Sequence, residues 1–340
     1  MRHLAALAFF LSACAVAPAA PETSSAGDGK LDSPDSTDNP REPDGLPTQY
    51  PLVLVHGFNA SAEKNGFGPE VVEALCADGH AVFAPSLPPF ASAETRAAAL
   101  AKAIDSALAG DADACGVVPA ERPRKVNLIA HSMGGLDSRA VISTLGYGDR
   151  VASLTTLSTP HRGSAFADML LGLTANVDDD AMSALATWLG RPLTTDATQL
   201  APDLRAALTS LAEQHADAFN TQNPNDTRVR YESWAGLSNV AGVLNPQDAP
   251  ACEYKLALFP TPTARHTMSI ALKPIAYIVA HRFDLRPNDG LVQVSSAKWG
   301  TFRGCVPADH ADEVGAFPVH KFDHVRFMRN RAFDLAARGY

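Results

Sequence analysis

The sequence predicts an α/β fold, a mostly parallel sheet with helices on both faces and a helical insertion after the middle strands. Short continuous apolar runs alternate with stretches of helical spacing along most of the chain. The first apolar run ends in His56-Gly57-Phe58, and a later strand-to-helix junction carries His131-Ser132-Met133-Gly134-Gly135. Continuous apolar runs suit strands covered on both faces, and their alternation with helices favours right-handed crossovers between parallel neighbours. With 340 residues, 46% of them apolar, the chain can bury a large core.

The N-terminus reads Met1-Arg2-His3, then an apolar run from Leu4 to Leu11, then Ser12-Ala13-Cys14. That is the layout of an export signal, assigned to residues 1–20 and kept out of the fold. Leu11-Ser12-Ala13-Cys14 is also similar to a bacterial lipobox, in which the Cys becomes the lipid-bearing first residue; ordinary cleavage near Ala17-Pro18-Ala19 is the alternative. Residues 15–47, rich in Pro, Ser, Ala, Asp and Gly, bury too little apolar surface to offset ordering entropy and read as a disordered tether. The folded domain is then 48–340.

Within it, Pro51–Val55 reads as a strand, about Gly66–Ala77 as a helix, Ala81–Ala84 as a strand, about Glu94–Leu108 as a helix and Val126–Ala130 as a strand. A helical pattern follows from Leu136 to Leu145, with strands at Val151–Leu157 and Tyr231–Ala235 and a last helix over Phe322–Ala337. Between Ser164 and Pro224 the alternation breaks: only helical stretches occur, such as Asp203–Phe219. An insertion of this kind, about 165–224, is where a cap or lid would sit.

A net charge of -9 disfavours a nucleic-acid partner. No apolar window reaches the roughly 18 residues of a membrane span, so membrane contact is expected only through a lipidated Cys14. Cys76, Cys115, Cys252 and Cys305 form an even set in a chain bound for an oxidising compartment, and two disulfides are expected. Cys252 with Cys305 is the favoured pair, because they bracket the stretch carrying the candidate acid.

Strand, sharp turn and helix around Ser132 make a nucleophile elbow, written G-x-S-x-G because the serine's backbone is strained and its neighbours two residues away must be small. Ala130 replaces the first glycine, the smallest departure available. The Met133 N–H would face a forming oxyanion, and the Phe58 N–H, just past the first strand, would be the second donor. In this fold the acid and base follow the serine in the chain. His310, in Ala308-Asp309-His310-Ala311-Asp312-Glu313-Val314, lies in a polar turn-like segment from which a base could reach back over the sheet; His320 is its rival, and His324 reads as a helix-face residue. Asn288-Asp289-Gly290 puts a carboxylate in a tight turn, with Asp284 as the alternative acid.

From about Pro51 to the C-terminus, these residues resemble the secreted bacterial true lipases, triacylglycerol lipases of the α/β-hydrolase superfamily that often require a dedicated foldase. The resemblance rests on Leu54-Val55-His56-Gly57, Ala130-His131-Ser132-Met133-Gly134-Gly135-Leu136, Thr159-Pro160-His161-Arg162-Gly163-Ser164, and the segments around Asp289 and His310. It implies an α/β-hydrolase fold and a triad of Ser132, Asp289 and His310 acting on lipid esters. It also implies a structural calcium with Asp312 as one ligand, although Arg265–Ala271, where the family's other acidic ligand should fall, has no Asp or Glu. Finally it implies a lid around Leu170–Leu211, with Met169, Leu170, Leu171, Leu173 and Trp188 able to face lipid. No cofactor is needed for the chemistry. A short-chain carboxylesterase or polyester depolymerase would use the same residues, whereas a non-catalytic lipid-binding module would show a broken triad.

Overall fold

Six parallel strands make one sheet: β1 (Leu52–Val55), β2 (Val82–Phe83), β3 (Val126–His131), β4 (Val151–Leu157), β5 (Arg230–Gly236) and β6 (Thr301–Val306). Their spatial order is β2-β1-β3-β4-β5-β6. The computed structural model describes residues 43–62, 64–178, 180, 182, 203–240, 245–255, 267–281, 284–316 and 322–340. The segment expected to be an export signal and nearly all of the expected tether, with Trp188, His266 and His320, lie outside them. After β1 the chain adds β2 on one side and β3 on the other, so the order reverses between β1 and β3. A crevice opens at such a switch point beyond the carboxyl ends of the strands, and both His56-Gly57-Phe58 and Ser132 follow those ends.

The sheet is covered on both faces because its strands are apolar on both. On β1, Leu52 and Leu54 meet Val71 and Leu75 of helix α1 (Gly68–Ala77) and Phe327 and Met328 of the C-terminal helix. Val53 and Val55, one pleat over, meet Leu100 and Ile104 of α2 (Ala93–Ala109) and Val141 of α3 (Met133–Ser143). Each such side chain contributes about 1.5–3 kcal/mol by leaving water. Helix α2 begins where Ser92 accepts the Thr95 N–H and ends at Gly110 in the left-handed region (φ 84°), two local signals that fix its length.

Helix α4 (Ala165–Leu173) opens the insertion, and α5 (Leu204–Leu211) and α6 (Glu213–Gln222) close its described part. The single helical stretch expected over Asp203–Phe219 is divided, because Ala212 is extended (ψ 144°) and caps one helix while starting the next. Among the described residues four further α-helices follow: α7 (Asp248–Ala251), α8 (Lys273–Val279), α9 (Val294–Ala297) and α10 (His324–Ala337). Strand β6 and helix α8 have no counterpart in the sequence reading. In Thr301-Phe302-Arg303-Gly304-Cys305-Val306, the charge and the glycine (φ 137°) interrupt the apolar run that marks the other strands. Of the apolar residues expected to face lipid, Leu170 is instead buried in a cluster with Met268, Leu272 and Ile275, while Leu173 is exposed. No helix among the described residues is long and apolar enough to cross a membrane.

Two disulfides form, Cys76 with Cys115 and Cys252 with Cys305. The second ties edge strand β6 to the turn after α7, 53 positions away in sequence. In the chain-entropy account, closing a loop of that length withdraws about 4 kcal/mol from the unfolded state's favour. Replacing both Cys252 and Cys305 by Ala should therefore lower unfolding free energy by about 2–4 kcal/mol in urea melts, with m rising as the unfolded chain expands. Equal unfolding free energies for the two proteins would show that the bridge adds nothing.

Candidate active site

Ser132 sits at the tip of β3 with φ 55° and ψ −130°, outside the regions an L-residue adopts freely. The conformation is held because neighbouring backbones crowd it. A Cβ on Gly134 would lie 2.3 Å from the Val55 carbonyl oxygen, and one on Gly57 would lie 2.7 Å from Ser132 Cβ. Only glycine at these positions lets the β1 loop, the turn and α3 meet. Ala130 is accommodated at the small position of the elbow, fully buried inside β3.

The structure brings three of the sequence candidates together. Ser132 Oγ is 2.9 Å from His310 Nε2, and His310 Nδ1 is 2.8 Å from Asp289 Oδ2. A carboxylate only accepts, so Nδ1–H donates to Asp289 and Nε2 is left to accept the serine proton. Asp289 Oδ1 accepts the Leu291 and Val292 N–H groups at 2.9 and 2.7 Å, which fixes the carboxylate in its Asx turn. The His310 N–H bonds the Asp289 carbonyl at 2.9 Å, so base and acid loops are stitched by main chain as well. The alternative acid Asp284 instead pairs with Arg286 on the surface. His324 faces Glu70, and His281 faces Glu213.

Two groups beside this chain were not singled out from the sequence. Glu313 is fully buried; Ser158 Oγ donates to its Oε1 at 2.6 Å and accepts the Gly236 N–H at 2.8 Å. Burial, then the nearby Asp289 charge, push the Glu313 carboxyl well above the usual range, so it stays protonated and leaves Asp289 as the negative group beside His310. His131 packs its ring 4.6 Å from that of His310, and burial, then His310 itself, hold it well below the ordinary histidine range. Nothing in Asp312-Glu313-Val314 distinguishes one acid from the next until the fold buries Glu313.

The loop bearing Phe58 is set by a buried guanidinium. Arg96 of α2 donates to the His56 carbonyl at 2.7 Å, the Pro88 carbonyl at 2.8 Å and Asp137 Oδ2 of α3 at 2.8 Å. Desolvation outweighs the Arg96 attraction at Asp137 and pushes its carboxyl up to about 7. His56 is neutral, pushed down to about 3 by burial and then by Arg96, and its Nε2 accepts the Leu87 N–H at 2.8 Å. Met133, the first residue of α3, has an N–H that no turn of its own helix can satisfy. Phe58 and Ser132 line one apolar cavity of about 100 Å³ with Phe166, Leu170, Leu208 and Leu272. Above the elbow, therefore, lie a poised hydroxyl, a base, a held carboxylate and an apolar chamber, an arrangement suited to acyl transfer.

The Thr159–Ser164 motif works as a clip. Ser164 Oγ donates to the Leu291 carbonyl at 2.6 Å, Ser296 Oγ donates to the Gly163 carbonyl at 2.7 Å, and Arg162 Nη1 donates to the Ser295 and Lys298 carbonyls at 2.7 and 2.8 Å. His161 is stacked on Trp299, 5.1 Å between ring centres. Asp312, the expected calcium ligand, is buried. In the same loop Asp309 spends its carboxylate on the N–H groups of Ser269, Ala311 and Asp312.

The sequence profile of the alpha/beta hydrolase fold family matches residues 50–245. A triacylglycerol lipase of Vibrio cholerae is 28% identical over 317 residues, covering 86% of this chain and 89% of that protein. Triacylglycerol lipase 2 of Saccharomyces cerevisiae is 32% identical over 257 residues, 75% of this chain but only 64% of the yeast protein. Among solved structures, a Staphylococcus hyicus lipase superposes with a TM-score of 0.57 at 18% identity, over 89% of this chain and 97% of that one.

Arg96 offers a sharp test. Arg96→Met leaves the His56 and Pro88 carbonyls unpaired and should cost about 3–5 kcal/mol of stability, because a buried pair has lost one partner. Adding Asp137→Leu should restore part of it in thermal and urea melts, and strict additivity of the two losses would refute a coupled pair.

Proposed function

The chain belongs to the α/β-hydrolase fold family, and from that premise we propose that it is an exported lipase hydrolysing carboxylic esters of acylglycerols. The observation that carries this reading is the hydrogen-bonded run from Ser132 through His310 to Asp289 at the mouth of an apolar cavity. Ser132 Oγ attacks the ester carbonyl carbon while His310 Nε2 takes its proton. Asp289 holds the ring by Nδ1–H and stabilises the imidazolium without accepting its proton. The N–H groups of Phe58 and Met133 hold the oxyanion. The alcohol then leaves with the proton from His310, and water, activated by the same ring, releases the fatty acid from Ser132. Helices α4 and α5, whose Leu170 and Leu208 roof the cavity, act as the lid.

Residues 1–20 direct export, with Cys14 as a lipid anchor, and the two disulfides suit an oxidising destination. A dedicated foldase is the proposed partner; full recovery of activity on unassisted refolding would remove that need. Mass spectrometry of the mature N-terminus should find lipid on Cys14, and an unmodified start further along would exclude the anchor.

One observation favours a second reading. A chamber of about 100 Å³ is small for a long acyl chain, which suits an esterase for short, soluble substrates. Rates across an ester series separate the two: a lipase gains activity beyond the solubility limit as the lid moves, and an esterase loses it.

Ser132→Ala should reduce kcat by roughly a million-fold and abolish fluorophosphonate labelling, and Asp289→Asn should cost on the order of ten-thousand-fold. Turnover retained by Ser132→Ala would end the proposal.

A further inference from the structure

Behind the reacting groups, three ligand atoms converge. One ring nitrogen of His131, one of His310 and a carboxylate oxygen of Glu313 lie within 4.8 Å of one another, all on buried side chains. His131 Nε2 and Glu313 Oε2 are 3.2 Å apart. With Glu313 protonated and the imidazole neutral, the carboxyl O–H faces the Nε2 lone pair, and a divalent ion can take the place of that proton.

The carboxyl of Glu313 is fixed from behind. Glu313 Oε1 is held by Ser158, itself fixed by the Gly236 N–H. Metal-binding carboxylates are supported in this way, with the far oxygen tied to a hydroxyl and the near one turned to the ion. One spacing already fits: ligands about 2.0–2.1 Å from a tetrahedral zinc ion are about 3.3 Å from each other, close to the 3.2 Å between His131 Nε2 and Glu313 Oε2, while all three atoms lie within 4.8 Å. Two imidazoles and one carboxylate select a zinc-like ion over calcium or magnesium, which demand oxygen.

We propose that His131, His310 and Glu313 form an inhibitory site for divalent zinc, reached through the apolar cavity, in which the metal takes His310 away from Ser132. His131 and His310 line that cavity, so an ion entering it meets the two nitrogens first and Glu313 behind them. The ion replaces the Glu313 carboxyl proton, which passes to solvent, and the fourth position is open to water or Ser132 Oγ. A small rotation of His310 brings its nitrogen into range and breaks the 2.9 Å contact with Ser132 Oγ. Zinc binding needs only the geometry of the three side chains, whereas its inhibitory effect rests on the function proposed above.

Calorimetric titration of the Ser132→Ala full chain with zinc chloride reads the site without reference to any ester. One zinc per chain is expected, not displaced by excess calcium or magnesium, and His131→Asn in that background should weaken binding by at least about 100-fold. Glu313→Gln is the second variant, should His131→Asn fail to fold, and should weaken binding likewise. In the wild-type chain, zinc should abolish hydrolysis of a soluble nitrophenyl ester at the concentrations that saturate the titration, and EDTA should restore it. Cobalt in place of zinc should give the intense visible bands of a tetrahedral site. Unchanged zinc affinity in both variants would overturn the site, and saturation of the site with full ester turnover would overturn inhibition alone.

Discussion

The strained backbone at Ser132 is the constraint on which the remaining structure depends. A residue at φ 55° and ψ −130° holds that conformation only if its surroundings over-determine it. Here they do: β1 and β3 are adjacent and parallel, and the loop leaving β1 passes within contact of the turn because Gly57 and Gly134 carry no side chain. The same closeness puts the Phe58 segment beside the start of α3. One local distortion thus presents the hydroxyl and aligns the two loops that face it.

Electrostatics around the site follow from keeping most ionisable groups neutral. Burial holds His56, His131 and His161 below the ordinary histidine range and pushes Glu313 and Asp137 upward. Two backbone N–H groups and His310 satisfy the oxygens of Asp289. A second buried anion at Glu313 would compete for the imidazole and raise the cost of desolvation, so a neutral carboxyl there keeps the charge on the oriented side. Elsewhere a cation with no ion-pair partner among the described residues is stabilised differently: Arg139 lies 3.6 Å over the Trp299 ring and donates to Asn220 and to the Asn223 carbonyl.

The insertion and the catalytic loops are joined mechanically. Ser164 caps α4 by accepting the Phe166 N–H and donates to the Leu291 carbonyl two residues past Asp289, while its own N–H bonds the Leu211 carbonyl at the end of α5. Asp309 clasps the base loop to Ser269, just ahead of α8. Three loops far apart in the chain are thereby held as one rim by short side chains and main-chain groups, which lose little entropy on ordering.

Five of the six strands, the helices that flank them, the elbow and the candidate turns at Asp289 and His310 were legible in the sequence, because each is written in local chemistry: continuous apolar runs, helical spacing, and small or turn-forming residues at fixed offsets. Strand β6 was not, since Arg303 and Gly304 erase its apolar signal and its place follows from pairing with β5. Arg96 carried a faint signal, a charge on the same helical face as Ala93 and Leu100, but only tertiary packing shows that it reaches the His56 carbonyl. The juxtaposition of His131, His310 and Glu313 left no trace in sequence spacing. The sequence by itself determined which residues could react and in what local turn each stands; the tertiary structure decided which of them meet and which acid stays protonated, because distance and burial belong to the folded chain and not to its order.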